Sequence, residues 1–164
     1  MRTFILPLVW LLLAVSPAWA ADLGLTPEQF HRDFATYAER LGIRALPDKP
    51  VRRESAAGKV TETYAPHSKI TIRLVHDSSS KRISNVMINA KAEEYEDGKR
   101  AQHYFLSLMA VFIDLEEGRS AMKALGIIDG SIFDGVPRTW KSSGRELVLS
   151  FDERSGLLLR INAY

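Results

Sequence analysis

The feature that most constrains this chain is a strict two-residue alternation between residues 69 and 92. Ile70, Ile72 and Leu74 are separated by Thr71 and Arg73, while Val86, Ile88 and Ala90 stand against Asn85, Asn89 and Lys91. Successive side chains of a strand point to opposite faces, so such a segment belongs to a sheet with one covered and one wet face. Strands are therefore predicted at 69–76 and 82–92. A weaker one precedes them at 59–65, with Val60 and Tyr64 on one face. Three more close the chain, at 138–141, 145–151 and 157–163. Ser142-Ser143-Gly144 and residues 152–156 supply the turns between these last three.

A covered face needs a cover, and two helical patterns provide it. Thr26 caps the first, with Pro27 in its opening turn, Gln29 completing a capping box, and Leu25 and Phe30 placed as a hydrophobic staple. Phe30, Phe34, Tyr37 and Leu41 then form one apolar stripe, which Gly42 ends. The second helix is predicted over 99–115. Tyr104, Phe105, Leu108, Phe112 and Leu115 mark its stripe, but Leu106, Met109, Val111 and Ile113 fill much of the remainder. A helix apolar on most sides is buried on most sides. Its acidic lead-in, Glu93 to Asp97, suits the positive end of the helix dipole. A short further helix is expected over 119–125. The segment 45–58, with Pro47 and Pro50, shows no periodicity and is expected to be a mobile loop. The resulting expectation is an α+β fold of two helix-plus-three-strand units, an antiparallel sheet packed on a central apolar helix.

The first twenty residues stand apart. Arg2, an apolar run from Phe4 to Val15, Pro17 and the small-x-small sequence Ala18-Trp19-Ala20 make the pattern of a cleavable signal peptide. The apolar run falls short of the roughly 20 residues that cross a bilayer. The expected organisation is a signal peptide at 1–20 and one domain at 21–164, exported to the periplasm or secreted, with no integral membrane segment after cleavage. The chain has no cysteine, so its stability must come from packing instead of disulfides. Of its 22 basic residues one, Arg2, lies in the leader, leaving 21 against 20 acidic. That balance gives no case for nucleic acid, which would favour a concentrated basic face.

Several short stretches carry the residue types of catalysis. His76, Asp77 and Ser78 to Ser80 hold the members of a Ser-His-Asp triad, but adjacent strand residues diverge and the stretch has the composition of a turn. Ser120-Ala-Met-Lys123 has the S-x-x-K spacing that lets a lysine take a serine proton. The spacing recurs at Ser78 to Lys81, and neither copy has the accompanying K-T-G element. Gly118 to Met122 fails as a nucleophile elbow because Met122 stands where the second glycine is required. Asp129 to Gly135 resembles a calcium loop but places Phe133 at a ligand position. His31, His67, His76 and His103 include no pair at the i, i+4 spacing of a helical metal site. The sequence thus singles out no catalytic, cofactor-binding or metal-ligating residue. The expectation is a non-enzymatic periplasmic binding or adaptor protein, with a protein partner or a second copy of itself. A small hydrolase with a site assembled from distant segments, or a structural member of an envelope complex, is the alternative.

Overall fold

A computed structural model describes residues 21–91, 95–127, 136–152 and 156–164, together with the backbone but not the side chains of Tyr95 and Leu115. The elements run α1 (Pro27–Arg40), β1 (Arg52–Ala56), β2 (Lys59–His67), β3 (Ile70–Asp77), β4 (Ile83–Ala90), α2 (Tyr95–Phe112), α3 (Leu115–Ala124), β5 (Arg138–Ser142), β6 (Arg145–Asp152) and β7 (Gly156–Ala163). The seven described strands form one sheet in the order β1-β2-β3-β4-β7-β6-β5, and every pairing is antiparallel. The fold is mixed α+β. The expected pair of helix-plus-three-strand units becomes one helix with four strands, then two helices with three.

Register explains which face the core takes. Ile72 pairs with Ile88, Ile88 with Leu159, and Leu159 with Leu149, so one apolar row crosses β3, β4, β7 and β6. Leu74, Val86, Ile161 and Leu147 make the adjacent row. These residues share one buried cluster with Phe30 and Phe34 of α1, Phe105, Leu108 and Phe112 of α2, and Ala121 of α3. The Phe30 ring lies 5.6 Å from Phe34 and stacks on Phe112 at 5.7 Å, which ties α1 to α2 above the sheet. Burying each such side chain contributes about 1.5–3 kcal/mol. The opposite face is polar: Asn85 donates to Asn162, which donates to Glu146, whose other partner is Lys141 at 2.9 Å.

Local chemistry sets the boundaries. The Thr26 capping box forms as expected, with Thr26 N donating to Gln29 Oε1 at 2.9 Å and Gln29 N to Thr26 Oγ1 at 3.3 Å. Ala57-Gly58 and Ser143-Gly144 both have positive φ at two successive residues, the two-residue turn whose twist matches paired strands. Gly156 opens β7 at φ 83 with its Cα against the Ala90 carbonyl, where any side chain would collide.

The segment 45–58 departs from the mobile loop expected of it. Leu46 is buried, the Arg44 carbonyl accepts from Tyr104 Oη at 2.9 Å, and Val51 N donates to Thr63 O at 2.8 Å. Beyond Val51 the chain becomes β1. Its five exposed residues, Arg-Arg-Glu-Ser-Ala, carry no apolar alternation, and β1 ends the sheet with charges that discourage further pairing. The second helix begins four residues earlier than expected because Tyr95 to Gly98 form its first turn. Asp97 there is held by Lys69 at 2.7 Å and Arg100 at 3.3 Å. No helix among the described residues is long and apolar enough to cross a membrane.

Candidate functional site

On the covered face the apolar rows stop short of the β1 edge. The row of Leu74 continues onto β2 as Glu62, and Val60 of β2 faces His76 of β3. Both polar side chains point to the core side, Glu62 at 8 % and His76 at 4 % exposure. Beside them, a cleft of about 460 Å³ is lined by the start of α1, residues 48–50 and side chains of β1 to β3. Burying a charge or an imidazole is expensive unless partners compensate, so the partners decide what the cleft is for.

Glu62 is partly compensated. Tyr64 Oη donates to its Oε2 at 2.9 Å, and Arg53, its cross-strand partner on β1, brings Nε within 3.5 Å of Oε1. Burial, then the hydrogen bond to Glu62 and its charge, push the Tyr64 phenol up and keep it a donor. The His31 ring of α1 packs edge-on against Tyr64 at 4.7 Å. Burial lowers the pKa of His31, against the pull of Glu62, Asp48 and Glu28.

His76 is not compensated. Its Nδ1 lies 3.1 Å from the Asp77 carbonyl oxygen, which can only accept, so Nδ1 carries the hydrogen. In the neutral ring Nε2 then presents a lone pair; it is buried and has no hydrogen-bond partner among the described residues. Glu62 Oε1, 3.9 Å away, is itself an acceptor. A fault in the ladder fixes this aim: Val75 pairs with Asn85 and His76 with Ile83, so Ser84 bulges out of β4. Bulges of this kind commonly redirect side chains beside functional sites. The start of α1 is tied to the same place, because Leu23 N donates to Ile83 O at 2.7 Å and Ile83 N to Leu25 O at 2.9 Å.

The stretches singled out in the sequence fare differently. In the His76–Ser80 stretch, Asp77 accepts from Ser79 N at 2.9 Å, from Ser80 N at 2.8 Å and from Ser79 Oγ. The Ser79 hydroxyl and the Ser80 and Ser79 amides hold its carboxyl well below the usual range, although it is exposed. The Asp77 carboxylate thus builds its own turn and is not the group that orients His76, as the turn reading expected. Ser120 and Lys123 are both exposed on α3, and Gly118 to Met122 is helix, with no strand-to-helix elbow. The whole calcium-like stretch, Asp129 to Gly135, and Glu93 and Glu94 lie outside the described residues. Among the described residues no three His, Cys, Asp or Glu side chains gather as a metal site.

The cluster of His31, Arg53, Glu62, Tyr64 and His76 was not read from the sequence. A signal for it existed. If Val60 and Tyr64 share the core face of β2, Glu62 between them must share it too, and His76 keeps the parity of Ile72 and Leu74. A second depression differs in character: about 340 Å³ between the helices, walled mainly by Tyr37, Leu106, Met109, Ile113 and Met122. Comparison with protein-family models, curated proteins and solved structures gives no significant match.

Proposed function

We propose that this chain is an exported, non-enzymatic binding protein of the periplasm, and that the cleft between α1, residues 48–50 and β1 to β3 holds its small polar ligand. The observation that carries the reading is the unpartnered His76 Nε2. A buried acceptor without a donor costs about 1–3 kcal/mol, a cost that persists where something outside the chain supplies the donor. Export rests on the leader pattern of residues 1–20. Binding is favoured over turnover because the described residues lining the cleft include no serine, threonine or cysteine, and the Tyr64 hydroxyl is already given to Glu62. A hydrolase built here would need Glu62 or His76 to act as a base toward water.

The apolar groove between the helices supports a second reading, an adaptor that receives a protein partner or a second copy. Leu106, Met109 and Ile113, which widen the apolar side of α2 beyond its core stripe, line that groove. Long-range imidazole ¹H–¹⁵N spectra and methionine-methyl ¹H–¹³C spectra, recorded while small polar metabolites are titrated in, separate the two. Saturable shifts of His31 and His76 support the cleft. Ligand-induced shifts confined to Met109, Met122 and their neighbours would transfer the function to the groove.

A further inference from the structure

Resting on the reading of the cleft as a binding site, the geometry points to the class of ligand. We infer that it is a small amino-acid-like zwitterion, its primary ammonium seated between Glu62 Oε1 and His76 Nε2 and its anionic end turned toward Lys49 and Lys81. The floor of the cleft is made of acceptors. Glu62 has only lone pairs to offer, and one of its oxygens takes the Tyr64 hydroxyl at 2.9 Å. The other is approached by Arg53 at 3.5 Å, a long contact from a side chain that is 62 % exposed. His76 Nε2, its neighbour at 3.9 Å, has no hydrogen-bond partner among the described residues. One atom placed about 2.8–2.9 Å from each acceptor spans that separation, provided it carries two hydrogens. A hydroxyl has one and a carboxylate none; an amide or guanidinium nitrogen has two, and an ammonium has three on a compact charge that suits the Glu62 carboxylate.

Charge agrees with hydrogen bonding. Three carboxylates line the cleft, Glu62 buried on its floor and Glu28 and Asp48 exposed at its rim, and all three act on His31. Of the cations in the lining, Arg53 stands beside Glu62, while Lys49 and Lys81 are exposed at the same rim. A ligand that enters ammonium first leaves its anionic end among them. Buried ammonium groups bind well where a carboxylate and a neutral acceptor replace their water, because charge-assisted hydrogen bonds are about twice as strong as neutral ones.

The test titrates the full chain, freed of its leader, with glycine, 4-aminobutyrate and 6-aminohexanoate, which vary the reach from floor to rim. Butylamine and butyrate serve as half-probes, and the His76 imidazole signal at pH 7.5 is the readout. At least one zwitterion should shift that signal saturably and bind at least tenfold tighter than butyrate. Glu62→Gln, which keeps an acceptor for Tyr64, should weaken the zwitterion at least tenfold. A double Lys49→Gln, Lys81→Gln variant, altered only at exposed positions, should weaken the zwitterion but leave butylamine unchanged. Butyrate binding as tightly as the zwitterions would overturn the inference. If no amine moves His76 while other polar metabolites do, the ammonium assignment fails and the cleft stands. If no compound moves His31 or His76, both fail.

Discussion

Phe112 stands where α1, α2 and the sheet meet, and truncating it to alanine has a cost that its surroundings define. It is 3 % exposed, belongs to the same cluster as Leu147 and Leu149, and stacks on Phe30 at 5.7 Å. Truncation of a buried phenylalanine costs about 3–5 kcal/mol through lost transfer energy and the cavity left behind. About 0.5–1.5 kcal/mol of that belongs to the ring pair. A domain has only about 5–15 kcal/mol to lose. With a urea dependence of about 2 kcal/mol per molar, the midpoint of Phe112→Ala should fall by about 1.5–2.5 M. Trp140, the one tryptophan beyond residue 20, packs half-buried against the core and serves as the fluorescent reporter. Ser79→Ala, in the exposed β3–β4 turn, is the control and should move the midpoint little. A Phe112→Ala midpoint within about 0.5 M of wild type would refute this account of the core, and with it the tie between α1 and the sheet that shapes the cleft.

Other outcomes follow from single groups. Ser107 is fully buried in α2 and its hydroxyl has no hydrogen-bond partner among the described residues, so Ser107→Ala should raise stability by about 1 kcal/mol in the same assay; a loss would mean the hydroxyl has a role in packing. Burial lowers the pKa of His31, so the unfolded chain binds its proton more readily, and stability should fall as pH drops below about 6.5 toward the folded value. His31→Gln should flatten that slope, and an unchanged slope would assign it to other groups. Mass spectrometry of a periplasmic extract should find a chain beginning at Ala21, whereas an intact leader in the membrane fraction would remove the case for export.

The strands were legible because alternation is a direct image of the pleat: β3, β4, β6 and β7 begin and end within two residues of the pattern. The capping box of α1 was equally plain, since its chemistry is local. β1 was not legible. An edge strand exposed on all sides needs no apolar residues, and Arg52 to Ala56 has no other pattern to show. The start of α2 was missed because Glu96 and Asp97 read as a polar approach to a helix whose first turn they form, with Asp97 bound by Lys69 from 28 residues away. The cleft lay between these cases. Parity alone places Glu62 and His76 inward, but only the tertiary contacts of α1 and β1 distinguish a satisfied buried charge from an acceptor left open.

The most direct test of the cleft compares one ligand across two variants. The tightest-binding polar metabolite is measured calorimetrically against wild type, Glu62→Gln in the cleft and Met122→Gln in the groove. The cleft account predicts at least a tenfold loss of affinity in Glu62→Gln and less than a twofold change in Met122→Gln, with the amide spectra of both showing the native fold. Full affinity in Glu62→Gln, with the loss appearing in Met122→Gln, would contradict it.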